Sequence, residues 1–76
     1  MLADEIRIPR QFGVTIRRLR GEAGLSQMAL AEKSGLNHNF VGEIERAEKL
    51  ASVVTVSRLA SGLGMKGSEL MAKAKL

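Results

Sequence analysis

Between Gly24 and Arg46 the chain reads GLSQMALAEKSGLNHNFVGEIER, two short amphipathic segments that meet at a single glycine, Gly35. Few folds accommodate that run. Ser26 and Asn37 each stand just ahead of a segment, where a side-chain oxygen can accept from the free backbone N–H groups of a first helical turn. Gly24 and Gly35 supply left-handed stops for the helices that precede them. The pattern therefore predicts a helix from Ser26 to Lys33 or Ser34, a tight turn, and a second helix from Asn37 to about Arg46. Leu30 and Ala31 face inward on the first of these, and Val41 and Ile44 on the second. The polar run Asn37-His38-Asn39 is left at an exposed helix start.

Three further helices complete the chain. One is expected over Pro9–Glu22, with Pro9 in a first helical position, where its missing N–H costs nothing. Phe12, Ile16, Leu19 and Ala23 form a stripe along it. On this reading residues 1–8 are an N-terminal tail and residues 9–76 the domain. The Val-rich run after Ser52 gives a poor strand signal. Val53, Val56, Leu59, Ala60 and Leu63 fall instead at helical spacing, so a fourth helix follows Ser52 as N-cap and stops near Gly62 or Gly64. The fifth begins at Gly67 or Ser68 and carries Leu70 and Met71. With connections of two to six residues, the expected architecture is all-α and compact, five helices in one domain.

Composition narrows the function. In 76 residues a single core is marginal, and an association that buries more apolar surface would help it. Cysteine is absent and there is one histidine, which removes disulfides and thiolate metal sites and leaves too few ligands for zinc. The N-terminal MLADEIRIPR has acids where a signal peptide would have bases, and no long apolar run follows, so a cytoplasmic location is expected and a membrane span is not. A net charge of +4 favours a polyanionic partner, while two Phe with no Tyr or Trp argue against modules that stack unpaired bases on aromatic platforms. No catalytic constellation survives: Ser26, Ser34 and Ser52 sit as caps, and the carboxylates are scattered. Neither an enzyme nor a cofactor is expected.

Double-stranded DNA fits what is left. Helix N-termini at Ser26 and Asn37 present N–H groups and positive dipole ends to phosphates, and the Gln27 amide lies at the same place. The third helix is expected to expose His38, Asn39, Gly42 and Glu43. Asn can bond bidentately to adenine, His can donate to guanine and Glu can accept from the cytosine amino group, while Gly42 would leave room for the groove wall. Arg46 and Lys49, just beyond this helix, and Ser52 suit phosphate contacts. Arg10, Arg17 and Arg18 read equally well as a solvated face. Leu63, Met65, Leu70 and Met71 read most simply as core, yet the last helix has more apolar surface than so small a core needs, and a two-fold dimer would bury it.

The residues FG at 12–13, IRRLR at 16–20, GLSQ at 24–27, LAEKSGL at 30–36, VGEIER at 41–46, RLASGLG at 58–64 and SEL at 68–70 together resemble the Xre-like, phage-repressor-like helix-turn-helix domains. The resemblance covers Phe12 to about Met71, with the helix-turn-helix at 26–46. Within that class the chain is similar to the controller proteins of restriction–modification systems, in which a polar pair and an aromatic precede V-G-x-x-E-R, as His38-Asn39-Phe40 does here. The resemblance implies a DNA contact for Phe40, and a buried ion pair between Arg20 and Glu45 tying the helix-turn-helix to the first helix. Loss of one partner of such a pair typically costs ~3–5 kcal/mol. Family members usually have Gly after Glu-Arg. Ala47 in that place predicts that the third helix runs on, or that the loop 47–51 takes an atypical path. Lys49-Leu50 stands where controllers often carry Arg-Asn.

The sequence thus predicts a homodimeric, sequence-specific transcriptional regulator on a pseudo-palindrome, with His38, Asn39, Glu43 and Phe40 at bases and Gln27, Asn37, Arg46, Lys49 and Ser52 at phosphates. RNA polymerase or a toxin are the further partners such a domain could take. An antitoxin, a prophage repressor and a protein-interaction adaptor stay open beside the controller reading.

Overall fold

The computed structural model describes residues 2–76 and contains five helices: α1 (Leu2–Glu22), α2 (Gln27–Ser34), α3 (His38–Glu45), α4 (Val53–Gly62) and α5 (Gly67–Lys73). Among the described residues there is no strand. Three expected N-caps act as such. Ser26 Oγ accepts from the Ala29 N–H at 3.0 Å, Asn37 Oδ1 from Asn39 at 2.9 Å and Ser52 Oγ from Thr55 at 3.0 Å. The fifth helix starts differently, with the Glu69 carboxylate reaching back to the Lys66 N–H at 3.1 Å.

The helix ends share one device. After each helix two backbone bonds close in the pattern of a Schellman motif, as in Gly35 N–H to Glu32 and Leu36 N–H to Ala31. Gly24, Gly35 and Gly64 hold the left-handed position after α1, α2 and α4, but Ala47 and Lys75 hold it after α3 and α5, at φ 59° and 60°. The expectation for Ala47 is therefore corrected. The third helix does not run on. Its last carbonyls are satisfied by the Ala47 and Glu48 N–H groups, at 3.0 and 2.8 Å, and that pair of bonds holds alanine in a conformation glycine would adopt more cheaply.

The first helix also departs from expectation. It begins at Leu2, so residues 2–8 are helical rather than a tail, and Pro9 lies inside the helix; Met1 is outside the described residues. Asp4 and Glu5 sit in the first turn, where acids complement the helix dipole, and Arg7 bonds to Asp4 and Gln11. These local contacts carry the helix past the one N–H that Pro9 cannot supply.

Phe12, Ile16 and Leu19 of α1, Leu30 and Ala31 of α2, Val41 and Ile44 of α3, Leu59 and Ala60 of α4, and Leu70 and Ala74 form one buried core. Ala23, expected on the α1 stripe, is exposed. Helix α2 packs on both α3 and α4, α1 packs on α3, and α4 on α5. The approach of α1 to α3 depends on Gly13, where a β-carbon would lie 2.8 Å from the Glu45 carbonyl oxygen and closer still to that of Ile44. At the α2–α4 crossing the buried Ser34 hydroxyl abuts Gly62 and has no hydrogen-bond partner among the described residues.

Candidate nucleic-acid interface

Helices α2 and α3 meet through the turn at Gly35–Asn37, and the start of α2 and the length of α3 border an open cleft of about 400 Å³. Gln27 and Met28 form one side, His38, Asn39 and Glu43 the other, with Gly42 at the floor and Arg46 at the far end. His38 and Asn39 are exposed and have no side-chain hydrogen bond among the described residues, so their donors and acceptors are free to meet something outside. Glu43 is half-buried.

Beneath the cleft a polar chain fixes α3 to the rest of the domain. The Arg20 guanidinium donates to Glu45 through Nε at 2.6 Å and Nη2 at 3.1 Å, and its Nη1 donates to the Leu25 carbonyl at 2.9 Å. Gln27 Nε2 donates to Glu45 Oε1 at 3.1 Å. The Glu45 side chain is only 3% exposed, yet three N–H groups from two helices satisfy its oxygens. Hydrogen bonding to Glu45, helped by the attraction of its charge, holds the Arg20 pKa above its already high ordinary value, against the opposing effect of burial. Such a carboxylate is costly to bury and costlier to strand, so the chain specifies one seat for α3.

Gly42 is a correction. It is buried rather than exposed, and a β-carbon there would meet Arg46 Nη1 at 2.9 Å and Gln27 Oε1 at 3.1 Å. Its missing side chain makes space for the protein's own Gln27 and Arg46, not for a groove wall. Gln27 in turn uses one amide N–H within the domain, which leaves the second for a ligand.

Arg46 is likewise already engaged. Its Nε and Nη2 bond to the two oxygens of Glu48 at 2.9 and 3.1 Å, a bidentate pair over half exposed on both sides. The bond raises the Arg46 pKa and lowers that of the Glu48 carboxyl. Reasoning from the sequence missed Glu48, because the pair forms only if Ala47 turns the chain left-handed between them. It also missed Met28, 56% exposed at the cleft's edge, which a helical wheel could have flagged beside Gln27.

The remaining expected site residues are dispersed. Asn37 is exposed and caps α3, and Ser52 is exposed and caps α4, sharing a 3.0 Å contact with the Thr55 hydroxyl. Phe40 is half-buried and packs partly on the core. Lys49 lies outside the cleft, beside Ile8, Pro9 and Leu50. Leu63, Met65 and Met71 keep part of their surface, but Leu70 is 0% exposed within its own protomer and has no side-chain surface for a partner. Among the described residues no cluster of His, Cys, Asp or Glu could hold a metal ion, and no helix is long and apolar enough to cross a membrane.

The fold that carries this cleft has counterparts among known proteins. The family model described as "Helix-turn-helix domain" matches residues 11–72. The chain belongs to the Xre-like helix-turn-helix family. It is 34% identical over 59 residues to the uncharacterized HTH-type transcriptional regulator y4dJ of Sinorhizobium fredii, covering 78% of this chain and 77% of that protein. To the HTH-type transcriptional regulator SutR of Escherichia coli it is 34% identical over 58 residues, 76% of this chain and 33% of SutR, so this helix-turn-helix chain spans about a third of that relative. Among solved structures it is similar to the restriction–modification controller protein C.AhdI from Aeromonas hydrophila. There the identity is 40% and the TM-score 0.78, over 82% of this chain and 94% of that one.

Proposed function

We propose that this protein is a sequence-specific regulator of transcription that binds double-stranded DNA as a homodimer through the cleft between α2 and α3. The observation that carries this reading is the exposed, unpartnered pair His38-Asn39 on the first turn of α3, beside the N-terminus of α2 and above the Arg20–Glu45–Gln27 chain. With α3 in the major groove, Asn39 and His38 read base edges, and Glu43 and the open side of Phe40 add discrimination. The N-termini of α2 and α3, with Gln27, Asn37, Arg46, Lys49 and Ser52, set the register on the phosphates.

The dimer surface we assign lies where α4 begins. Val53 and Val54 are 87% and 61% exposed, and a hollow of about 420 Å³ bordered by Val53, Val56 and Met71 is lined mainly by apolar groups. A second copy would cover it and place the two copies of α3 about 34 Å apart, one turn of DNA. Leu63 and Met65 could extend the contact. The likeness to C.AhdI over nearly all of that chain favours a controller of a restriction–modification system over the other roles such domains serve.

Selection of bound sites from random duplex DNA tests the reading. A pseudo-palindrome with half-sites about one helical turn apart is expected. Recovery of no enriched sequence would overturn it.

A further inference from the structure

A second surface lies away from the cleft, along the outer face of α1. Ala3, Ile6 and Val14 line a broad open depression of about 970 Å³, and Ile6 and Val14 are 50% and 65% exposed. The α1 positions that line it recur at three- and four-residue steps from Ala3 to Arg18, one helix face about 22 Å long. Gly13 and Arg20, which face α3, lie roughly 100–120° round the helix from Val14. The depression therefore lies off the side of α1 that packs on α3 and shares no residue with the cleft proposed for DNA.

Its far wall is the C-terminal segment. Gln11 Nε2 donates to the Ala74 carbonyl at 2.6 Å, which pins that segment to α1 and sets Lys73 and Lys75 on the rim. Arg10 joins them, and among the described residues none of these three cations has a carboxylate partner. Arg7 and Arg18 also border the depression, paired on the surface with Asp4 and Glu22. The face thus combines an apolar seam with a net positive rim.

That combination selects among occupants. A phosphate backbone would engage the cations but press its charge against Ile6 and Val14. A second copy related by a two-fold axis would set the cationic rim against itself. An amphipathic helix with an apolar seam flanked by carboxylates satisfies both features at once. We propose that the outer face of α1, with Lys73 and Lys75, is a docking groove for an acidic amphipathic helix of a partner protein. The inference does not depend on the DNA-binding reading.

The test titrates the full chain with a synthetic helical peptide of about 18 residues, long enough to span the face, carrying Leu at three- and four-residue steps between Glu residues. Controls are the same residues scrambled, and the same peptide with Lys in place of Glu. Saturable binding is expected, with amide shifts concentrated on residues 3–18 and 73–75. Val14→Asp and Arg10→Glu should each weaken it by about tenfold or more, at unchanged melting temperature. Equal binding of either control, shifts elsewhere, or indifference to both substitutions would overturn the proposal. So would the same α1 amides shifting with duplex DNA, or Val14→Asp converting a dimer to a monomer, since each assigns the face to a different occupant.

Discussion

Ala47 holds a left-handed conformation, at φ 59°, that costs an L-residue roughly 1–2 kcal/mol. Glycine would relieve it, less the larger chain entropy glycine loses on folding. Ala47→Gly should therefore stabilise the domain by about 0.5–1 kcal/mol, a rise of roughly 2–8 °C in Tm. A lower Tm would show that Ala47 is not strained. Its neighbour Glu48 forms the clamp on Arg46, and because both side chains are largely solvated the pair adds little to stability. What it does add is complete above the carboxyl's unfolded pKa and is lost as pH falls through the lower folded value. Its larger effect should be on DNA, since a carboxylate beside a phosphate-contacting arginine opposes binding. Glu48→Gln is expected to tighten binding to selected and random duplexes alike, by about fivefold at low salt, in an anisotropy titration. Unchanged or weaker binding would place Arg46 away from the phosphates. Neither residue's part was legible beforehand. The sequence shows Ala47 departing from the family pattern, but the backbone bonds that hold it left-handed belong to the folded chain.

Among the elements, helix existence was legible, and of the helix contacts the Arg20–Glu45 tie between α1 and α3 was legible through the family resemblance. Ser26, Asn37 and Ser52 mark their helix starts because the capping chemistry is local, and Gly24 and Gly35 mark ends for the same reason. Pro9 misled because a proline suits a first turn and is merely costly later on, and local spacing does not weigh the side-chain contacts that carry α1 through it. Gly42 misled because an eight-residue helix gives too few turns to separate a face turned to solvent from one crossed by Gln27 and Arg46. Gly13 has the plainest structural reason of all. Gly13→Ala would push α1 off the carbonyls of Ile44 and Glu45 and disturb the Arg20–Glu45 pair nearby. A loss of about 2–3 kcal/mol is expected in urea unfolding, at the severe end for a single added methyl group. A change below roughly 0.5 kcal/mol would mean that the two helices can separate freely.

For the whole molecule, the core of eleven buried apolar side chains among the described residues draws on every helix and continues past α5 to Ala74, so the cleft rests on one continuous core. Leu70 belongs to that core, which moves the proposed dimer contact to Val53, Val54 and Met71 at the surface. Val53→Asp should leave the fold intact and shift sedimentation toward the monomer. A dimer that survives the charge would have to form elsewhere. The proposed function rests on the first turn of α3 as the reader of sequence. Its most direct measurement is the affinity of the wild type and Asn39→Ala for a selected duplex and a scrambled one, across a range of salt. Salt-dependent binding to both duplexes is expected, with a strong wild-type preference for the selected one. A loss of ~1–3 kcal/mol in Asn39→Ala, confined to that duplex, is also expected. Equal losses on both duplexes, or no salt-dependent binding to either, would contradict that role for α3.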